Sequence, residues 1–396
     1  MNSFSLQILI FGVFILLCSC TSDIPAADKG YTDGQKRQTL DFDKISKLLL
    51  ERMNLQKGEK VLLVARPGRF DPLIPLLKSG IEKAGAFYLG TLSVSASQPA
   101  VWNTDFVLGA KGLDDEKLQK YLKAIDLGVM LPGPTPGDKI YQLIQDNLND
   151  NVGRTIHFHW SGAYRLDGSP MTVDAKVDNF YQMALLSTDY DALAASQAKL
   201  ESAMRGKTIR VTSPAGTDIS FSIGDRPVTK QNGDASKANT DKGRNLIDRE
   251  IELPAGAIRV APIEESVNGV VVFPDGRWDG NAVKGLTLKF RKGKVVSIEA
   301  KEGAQHAKNE IARAGEAGKS FREFALGVNP ALAIPVADPW IPYYGYGAGI
   351  VRLSLGNNLE LGGKVGGNYV RWNFFVDTSV EIGSEMWVKN GKLIRW

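Results

Sequence analysis

Histidines and cysteines are the first residues to consider, because their side chains carry much of the metal and nucleophile chemistry of proteins. The chain of 396 residues has only two cysteines, Cys18 and Cys20, and three histidines, His157, His159 and His306. Both cysteines lie close to the N-terminus. These counts exclude a disulfide scaffold, a cysteine-rich zinc module, a cysteine nucleophile in the folded body and a histidine-rich metal centre.

His157 and His159 are the one close histidine pair in the sequence. If their segment is a strand, alternation places both imidazoles on one face, which would begin a two-nitrogen metal site. A third ligand would then come from elsewhere, from Asp167 or Asp174. The alternative, which we favour, is a pair of half-buried histidines packed beside the aromatic residues of the same segment.

Three further classes of function have little support in the sequence. No Gly-x-Ser-x-Gly motif is present, so a serine hydrolase of the α/β type is not indicated. The net charge of +4, from 48 basic and 44 acidic residues, is too small to indicate a nucleic-acid partner. The segment 66–69 follows an apolar run, but its single glycine is not a dinucleotide-binding fingerprint and predicts a turn.

Residues 1–20 have the pattern of a lipoprotein signal peptide. The apolar run 8–17 has the length of a signal sequence and is too short to span a bilayer as a helix. It ends in Leu17-Cys18-Ser19-Cys20, which resembles the bacterial lipobox, in which the last cysteine is lipidated. Two features depart from the usual pattern: residues 1–7 carry no Lys or Arg, and Cys18 stands where a small residue is usual.

We therefore predict a lipoprotein that is anchored through Cys20 to a membrane of the bacterial cell envelope, outside the cytoplasm. An ordinary cleaved signal or a short anchor is the alternative. Residues 21–40 are polar and without hydrophobic periodicity, which predicts a flexible tether. No later segment is long and apolar enough to span a membrane.

The segment 41–205 alternates helical and strand patterns, which predicts an α/β domain with a parallel sheet covered by helices. Short apolar runs bounded by turn residues predict strands, and apolar residues at helical spacing predict helices. The strands are expected at 61–64, 86–89 and 127–131, and the helices at 41–55, 72–84, 115–124 and 192–204.

The segment 206–396 has a different pattern, which predicts a β-rich α+β domain. Turns such as Asp275-Gly276 and Lys292-Gly293 separate short strands. One helix is expected at 304–314. The strands are expected at 208–212, 219–223, 270–273, 286–290, 295–298, 349–355, 370–376 and 385–395.

Six segments of this second half resemble the M29 metallo-aminopeptidases, the aminopeptidase T/S family of leucyl aminopeptidases. Their order and rough spacing agree with that family over residues 200–396, and the α/β pattern of 41–205 suits its N-terminal domain. The resemblance implies an M29 aminopeptidase-like fold and a tendency to form homodimers. The segments are TSPAGTD (212–218), LPAGA (253–257), APIEESVNG (261–269), EFALGVNP (323–330), VRLSLGNN (351–358) and RWNF (371–374).

The resemblance also implies a site in which two adjacent divalent metal ions activate a bridging water and polarise the scissile carbonyl. Of the ligand positions carried over from the family, only Glu323 retains a metal-binding carboxylate. The other four positions hold Ala257, Arg352, Arg371 and Asn373.

These replacements argue against the metal centre. Arginine stays protonated and has no lone pair to donate, asparagine is a weak neutral donor, and alanine is none. Glu264 would add a carboxylate nearby, but a few oxygens beside two arginines do not hold two metal ions. We expect no cofactor; zinc, cobalt or manganese is expected only if the protein is an active aminopeptidase.

Three hypotheses for the altered site remain open. In the first, Arg352 and Arg371 face the cleft with Glu323 and bind a carboxylate or phosphate, at about 1.5–3 kcal/mol per charged hydrogen bond. Asn373 and Glu264 would complete this binding site. In the second, the charged residues form a buried ion network that replaces the cohesion of the metal cluster. In the third, metal catalysis is retained.

Two classes of function follow. The first is a non-catalytic lipoprotein with a degenerate metal site that binds a small anionic or zwitterionic ligand, an amino acid or a peptide. The second is an anchored aminopeptidase that releases N-terminal residues from extracytoplasmic peptides. A metal-free enzyme with Glu323 as general base is a further variant. The aromatic segment 340–346 is predicted to pack over the site or at a subunit contact, with a substrate lid as the alternative.

Overall fold

A computed structural model of the chain describes residues 39–243 and 246–395. The predicted signal peptide, Cys20 and nearly all of the predicted tether lie outside these residues. Among the residues that the structure describes, no helix is both long and apolar enough to cross a membrane.

The first half of the described chain alternates helices and strands, as the sequence pattern predicts. Aspartates at several helix starts, among them Asp41 and Asp189, accept a hydrogen bond from a backbone N–H of the first turn. The elements are α1 (Phe42–Met53), β1 (Lys60–Ala65), α2 (Leu73–Lys83), β2 (Phe87–Ser93), α3 (Asp105–Gly109), α4 (Asp115–Leu122), β3 (Leu127–Met130), α5 (Lys139–Asn149), β4 (Arg154–Phe158), α6 (Ala175–Ser187) and α7 (Tyr190–Met204).

The second half is dominated by strands with three short helices. The elements are β5 (Ile209–Thr212), β6 (Asp218–Phe221), β7 (Thr229–Lys230), α8 (Lys237–Thr240), β8 (Glu250–Leu253), β9 (Ala257–Val260), β10 (Asn268–Val272), β11 (Gly276–Trp278), β12 (Asn281–Val283), β13 (Thr287–Arg291), β14 (Lys294–Glu299), α9 (Ala304–Arg313), α10 (Gly315–Gly318), β15 (Phe321–Gly327), β16 (Val351–Gly356), β17 (Val370–Arg371), β18 (Phe374–Phe375), β19 (Ser379–Ile382), β20 (Glu385–Lys389) and β21 (Lys392–Leu393).

A five-stranded parallel sheet in the order β2-β1-β3-β4-β8 forms the centre of the first half. Both of its faces are covered: Val61 and Leu63 of β1 join one apolar core with α1 and α2, whereas Leu62 and Val64 join another with α4 and α5. Burial on both faces explains why β1 is a continuous apolar run rather than an alternating one.

The last strand of this sheet, β8, comes from residues beyond the boundary expected at 205/206. It pairs in parallel with β4, and Glu252 of β8 lies opposite His157 of β4. The short segment Glu-Ile-Glu-Leu alternates charged and apolar residues and carries no signal of which sheet it joins. The second half of the chain therefore completes the sheet of the first half.

Two antiparallel sheets form the second half. An eight-stranded sheet has the order β14-β13-β10-β6-β5-β19-β20-β21, and a six-stranded sheet has the order β17-β16-β15-β9-β7, with β18 also paired to β16. β11 and β12 form a separate hairpin. The central strands β15 and β16 of the six-stranded sheet are buried along their whole length, and they carry the residues of the candidate site.

Candidate functional site

Three adjacent strands of the six-stranded sheet bring the site residues together. Ala325 at the middle of β15 lies opposite Arg259 of β9 on one side and Arg352 of β16 on the other. Glu323 precedes Ala325 by two residues on β15 and lies opposite Ser354. Because side chains alternate along a strand, these residues project from one face of the sheet. The sheet thus places two guanidinium groups and one carboxylate side by side.

Glu323 is the centre of a charged cluster and is fully buried. Its Oε1 lies 2.8 Å from Arg352 Nε and accepts a hydrogen bond of 3.1 Å from the hydroxyl of Ser354. Its Oε2 accepts hydrogen bonds from Arg259 Nε at 3.2 Å and Arg259 Nη2 at 3.1 Å. Both carboxylate oxygens are therefore engaged.

The ionised form of Glu323 is strongly favoured. Burial raises the pKa of its carboxyl, but the guanidinium groups of Arg352, Arg259 and Arg322 outweigh this effect and hold the pKa well below its usual range. In turn, burial lowers the pKa of Arg259, while Glu323 more than compensates and keeps that pKa well above its usual value. The charges stabilise one another and stay fixed over the physiological pH range.

A second carboxylate extends the cluster. Glu360, in the loop after β16, accepts hydrogen bonds from Arg322 Nη2 and, at 3.1 Å, from Arg259 Nη2. Burial raises the pKa of Glu360, but the guanidinium groups of Arg322 and Arg259 outweigh this effect and hold the pKa below its usual value. We refer to these residues together as the Glu323 cluster. It consists of Arg259, Arg322, Glu323, Arg352, Ser354 and Glu360.

Arg352 and Arg322 are the members of the cluster whose donors are not all used, since Arg322 Nε also has no hydrogen-bond partner among the described residues. Arg352 Nη1 donates to the carbonyl of Tyr344 at 3.2 Å, whereas Arg352 Nη2 is buried and has no hydrogen-bond partner among the described residues. The guanidinium carbon lies 5.0 Å from the ring centre of Trp372 and 5.9 Å from that of Tyr346. Trp372 keeps 38% of its surface exposed, so an aromatic side chain next to Arg352 borders the solvent.

The aromatic segment 340–346 packs over the cluster. Its Trp340, Tyr343 and Tyr346 are buried, and the hydroxyl of Tyr343 donates to the carbonyl of Leu253 at 3.0 Å. Tyr343 and Tyr344 have positive φ angles of 36° and 51°, which bulky residues rarely adopt. Each such residue costs on the order of 1–3 kcal/mol, so the surrounding contacts hold this segment in a strained shape.

Arg371 and Asn373 lie beside the cluster but make other contacts. Arg371 Nη1 donates to Glu310 at 2.7 Å, its Nη2 donates to the carbonyl of Arg277 at 2.7 Å, and its Nε donates to Asn373 Oδ1 at 3.2 Å. The Arg371 guanidinium also stacks on Trp278 at 3.6 Å. These contacts tie strand β17 to helix α9 and to the β11–β12 hairpin, and none of them involves Glu323.

The other two predicted positions also serve packing in this arrangement. Glu264 accepts from the backbone N–H of Lys364 at 2.8 Å and from Asn358 Nδ2 at 3.2 Å, and it pairs with Arg226. It thereby fixes the loop that carries Glu360. Ala257 is fully buried at the start of β9, opposite Gly327 of β15.

The histidine pair lies on and just after β4, next to the edge strand β8 of the parallel sheet. His157 is buried, and its Nδ1 and Nε2 lie 2.7 Å from the hydroxyl of Tyr141 and 3.0 Å from that of Thr155. Burial holds the pKa of His157 well below its usual range. The His159 ring lies 5.4 Å from that of His157, edge to face. His157 thus makes two hydrogen bonds within the protein, consistent with the packing alternative.

A dinuclear metal centre does not fit the donor set present here. Glu323 already uses both oxygens on guanidinium and hydroxyl donors, and Arg352 is permanently cationic and lacks a lone pair. Within residues 39–243 and 246–395, no group of three or more His, Cys, Asp or Glu side chains is arranged to hold a metal ion. The residues present therefore supply guanidinium groups and carboxylates already paired with one another rather than a set of free metal ligands.

Several members of this site are not identifiable from the motifs. Arg259 follows Ala257 by two residues on β9, so the two side chains lie on one face of the sheet. This alternation is the one sequence signal that could have pointed to Arg259. Glu360 and Glu252 come from a loop and from the edge strand β8, and only the tertiary fold brings them near Arg259. No local pattern in the sequence indicates that contact.

The comparisons with known proteins agree with the sequence motifs. Residues 186–334 match the family model of the M29 peptidases, described as thermophilic metalloproteases. A comparison with curated protein sequences finds no match.

Two solved structures share the fold over nearly the whole chain. One is 2,5-dihydroxypyridine dioxygenase from Pseudomonas putida, with a TM-score of 0.60 and 15% identity over 90% of this chain and 98% of that chain. The other is AmpT from Thermus thermophilus, with a TM-score of 0.56 and 15% identity over 89% of this chain and 99% of that chain. The predicted fold class is confirmed, with its parallel sheet and its separate antiparallel β-rich part. The predicted resemblance to the M29 aminopeptidases is confirmed as well: residues 186–334 match the family model, and the chain shares its fold with AmpT.

Proposed function

We propose that this protein is a lipoprotein of the bacterial cell envelope that binds a small anionic or zwitterionic ligand, an amino acid or a short peptide, through Arg352. In this proposal the M29-like site is degenerate and does not use classical dinuclear metal catalysis. The observation that carries the proposal is the buried Nη2 of Arg352, which has no hydrogen-bond partner among the described residues.

The charge arrangement supports an anionic ligand. A buried donor without a partner costs about 1–3 kcal/mol, and more if it is charged, so a ligand carboxylate that accepts from Arg352 Nη2 would recover that cost. Arg259, by contrast, already donates to Glu323 and Glu360. A cation would meet the guanidinium groups of Arg259 and Arg352 at the same face.

The alternative function is an active aminopeptidase or other hydrolase that releases N-terminal residues from extracytoplasmic peptides. The match of residues 186–334 to a family of metalloproteases favours it. It requires divalent metal ions, zinc, cobalt or manganese, at positions that now hold Ala257, Arg352, Arg371 and Asn373. The two functions therefore differ in a property that can be measured directly, the metal content.

The test uses the full-length protein in detergent, incubated with zinc, manganese and cobalt and then dialysed. We expect almost no bound metal and no release of the N-terminal residue from the dipeptide L-alanyl-L-phenylalanine. Isothermal titration of the same protein with that dipeptide should give saturable binding of one ligand per chain. One or two metal ions per chain together with dipeptide cleavage would establish the aminopeptidase instead.

The lipid anchor is tested separately in cells grown with a labelled fatty acid. We expect label on the protein and recovery of the protein with membranes. The Cys20→Ser variant should lose both, whereas Cys18→Ser should keep both, because only the last cysteine of a lipobox is lipidated. Equal labelling of the two variants would contradict the assignment of Cys20.

A further inference from the structure

We propose that Glu252 accepts the ammonium group of a ligand whose carboxylate binds Arg352, so that the site selects ligands with both groups free. This inference rests on the proposed function and adds a specificity-determining residue to it. Neither the family motifs nor the comparisons assign a role to Glu252, which lies on the edge strand of the parallel sheet, directly before the segment LPAGA.

Glu252 has acceptor capacity that no side chain or backbone group of residues 39–243 and 246–395 uses. Its Oε2 accepts a hydrogen bond from the hydroxyl of Tyr346, while its Oε1 is 4.0 Å from Arg259 Nη1, beyond hydrogen-bond distance. Its side chain retains 16% exposure, whereas that of Glu323 retains none. A ligand ammonium can therefore reach Glu252 but not Glu323.

Arg352 offers the complementary charge. Its guanidinium is buried, its Nη1 donates to the carbonyl of Tyr344, and its Nε lies 2.8 Å from Glu323 Oε1 as an ion pair without hydrogen-bond geometry. Its Nη2 has no hydrogen-bond partner in the described part of the chain. The half-exposed Trp372 lies over it and packs edge to face on Tyr344, with ring centres 5.6 Å apart. Rotation of Trp372 would give a ligand carboxylate access to Nη2.

Both groups contact the same side chain, Tyr346. The Arg352 guanidinium lies 5.9 Å from its ring centre, and Glu252 binds its hydroxyl. Burial and the charge of Glu252 keep the pKa of this tyrosine well above its usual value, so the phenol remains a donor. Tyr346 therefore fixes the separation between the negative and positive ends of the site. A zwitterion lying along this phenol would satisfy both ends.

A purely anionic ligand fits this arrangement less well. It would neutralise Arg352 but would leave the partly exposed carboxylate of Glu252 close to the incoming negative charge. A free ammonium group removes that repulsion and adds a charged hydrogen bond, worth about 1.5–3 kcal/mol. An amino acid or a short peptide with free termini carries both groups.

The experiment is isothermal titration of the full-length protein in detergent with two ligand series. One series is L-alanyl-L-phenylalanine, its N-acetyl derivative and its C-terminal amide; the other is L-phenylalanine with the same two derivatives. We expect at least one parent compound to bind and both of its derivatives to bind about tenfold or more weakly, because each derivative lacks one charged contact.

The variants separate this inference from the proposed function. Glu252→Gln should weaken the parent about tenfold but should not weaken the N-acetyl derivative, which also escapes the repulsion by Glu252, and Glu252→Asp should restore part of the lost affinity for the parent. Arg352→Lys should weaken the parent, and thermal melting shows whether each variant is folded. Equal binding of parent and N-acetyl derivative to the unaltered protein would overturn the role of Glu252 and leave the anion site intact. No binding of any compound would overturn both.

Discussion

At the scale of single residues, Glu323 shows how a metal-binding position can become an ion-pair position without a change of side chain. Its carboxylate is the one predicted metal ligand that the sequence keeps, yet it is surrounded by Arg259, Arg322 and Arg352. In a buried site a carboxylate needs compensating positive charge, and guanidinium groups supply that charge as well as hydrogen-bond donors. The same residue type therefore remains while its chemistry differs.

Removing the charge of Glu323 should destabilise the protein strongly. Glu323→Gln leaves three buried guanidinium groups with less compensation, and breaking a buried ion pair in this way costs about 3–5 kcal/mol. Urea denaturation should show a loss of this order in the free energy of unfolding. Glu316→Gln is the matched control, because Glu316 pairs with Lys294 at the exposed surface. Similar stability of the two variants would mean that the cluster does not depend on the Glu323 charge.

A variant of Arg371 can show whether this residue stabilises the fold or binds the ligand. Arg371 stacks on Trp278 and donates to Glu310 and to the carbonyl of Arg277, a geometry that lysine cannot reproduce. Arg371→Lys should therefore lower the free energy of unfolding by about 1–2 kcal/mol. Its affinity for L-alanyl-L-phenylalanine should stay within about twofold of the unaltered protein, whereas Arg352→Lys should lose about tenfold.

That comparison also tests the hypothesis that Arg352 and Arg371 clamp one anion together. If Arg371→Lys weakens binding as much as Arg352→Lys, then both arginines bind the ligand. In that case the stacking of Arg371 on Trp278 must break when the ligand binds. Calorimetry with both folded variants decides between the two.

The site could be predicted from the sequence only where its residues belong to the motifs. Glu323 and Arg352 lie in matching segments, and the structure brings them to 2.8 Å. Arg259 lies between two motifs, and Glu360 lies just after the segment 351–358 in a loop that Glu264 fixes. Contacts of this kind depend on which separate segments pack together, and neither composition nor periodicity predicts that packing.

At the scale of elements, the site depends on how closely the segment 343–347 approaches strand β15. A Cβ at Gly327 would lie 2.1 Å from the carbonyl oxygen of Gly347 and 2.6 Å from that of Gly345. This strand end must therefore be a glycine, so that the backbone bearing Tyr344 and Tyr346 can pack directly on it. The contact explains how the strained tyrosines are held over Arg352.

Gly327→Ala should move that segment. Backbone atoms cannot yield as a flexible side chain does, so we expect a loss of at least about 1–3 kcal/mol in the free energy of unfolding. Affinity for L-alanyl-L-phenylalanine should fall as well, since Tyr346 sets the separation of the two charged ends. Gly366→Ala is the control, because its Cβ would meet only Leu359 Cδ1, at 3.5 Å. Unchanged melting of Gly327→Ala would show that the close approach is absent in solution.

Most elements of the first half were predictable because their patterns are local. The apolar run 61–64 and the helical spacing in 41–55 correspond to β1 and α1. The region expected as one strand at 370–376 is instead the two short strands β17 and β18, with Trp372 and Asn373 between them. The break exposes Trp372 above Arg352, and no periodicity rule predicts it.

At the scale of the whole molecule, β8 joins the two halves of the chain. It is the edge strand of the parallel sheet, and its Glu252 reaches Tyr346 and lies near Arg259 of the six-stranded sheet. The second acidic residue of the same strand, Glu250, faces the first half, where Gln145 Nε2 donates to it at 2.6 Å and His157 Nε2 lies 4.0 Å away. Ionisable groups therefore line both sides of this junction.

Glu250 makes the stability of this junction depend on pH. Burial raises the pKa of its carboxyl to about 8, although the hydrogen bond from Gln145 acts in the opposite direction. A carboxyl whose pKa is higher in the folded than in the unfolded state, where it is about 4.3, stabilises the fold fully below that lower value. This contribution is lost as the pH rises from about 4.3 to about 8. His157 acts in the opposite direction below about pH 6.5, because burial lowers its pKa.

Above about pH 6.5 the opposing effect of the histidine fades, since the unfolded histidine loses its proton there, and the change towards pH 8 then reports mainly on Glu250. We expect the free energy of unfolding to fall between about pH 6.5 and about pH 8, and Glu250→Gln to remove most of the fall while keeping an acceptor for Gln145. The variant should be more stable than the unaltered protein near pH 8, by an amount on the order of a few kcal/mol. Urea denaturation at several pH values measures the difference, with Glu265→Gln as an exposed control. Parallel curves for Glu250→Gln and the unaltered protein would mean that Glu250 is ionised and hydrated in the folded state, and that the junction is open to water.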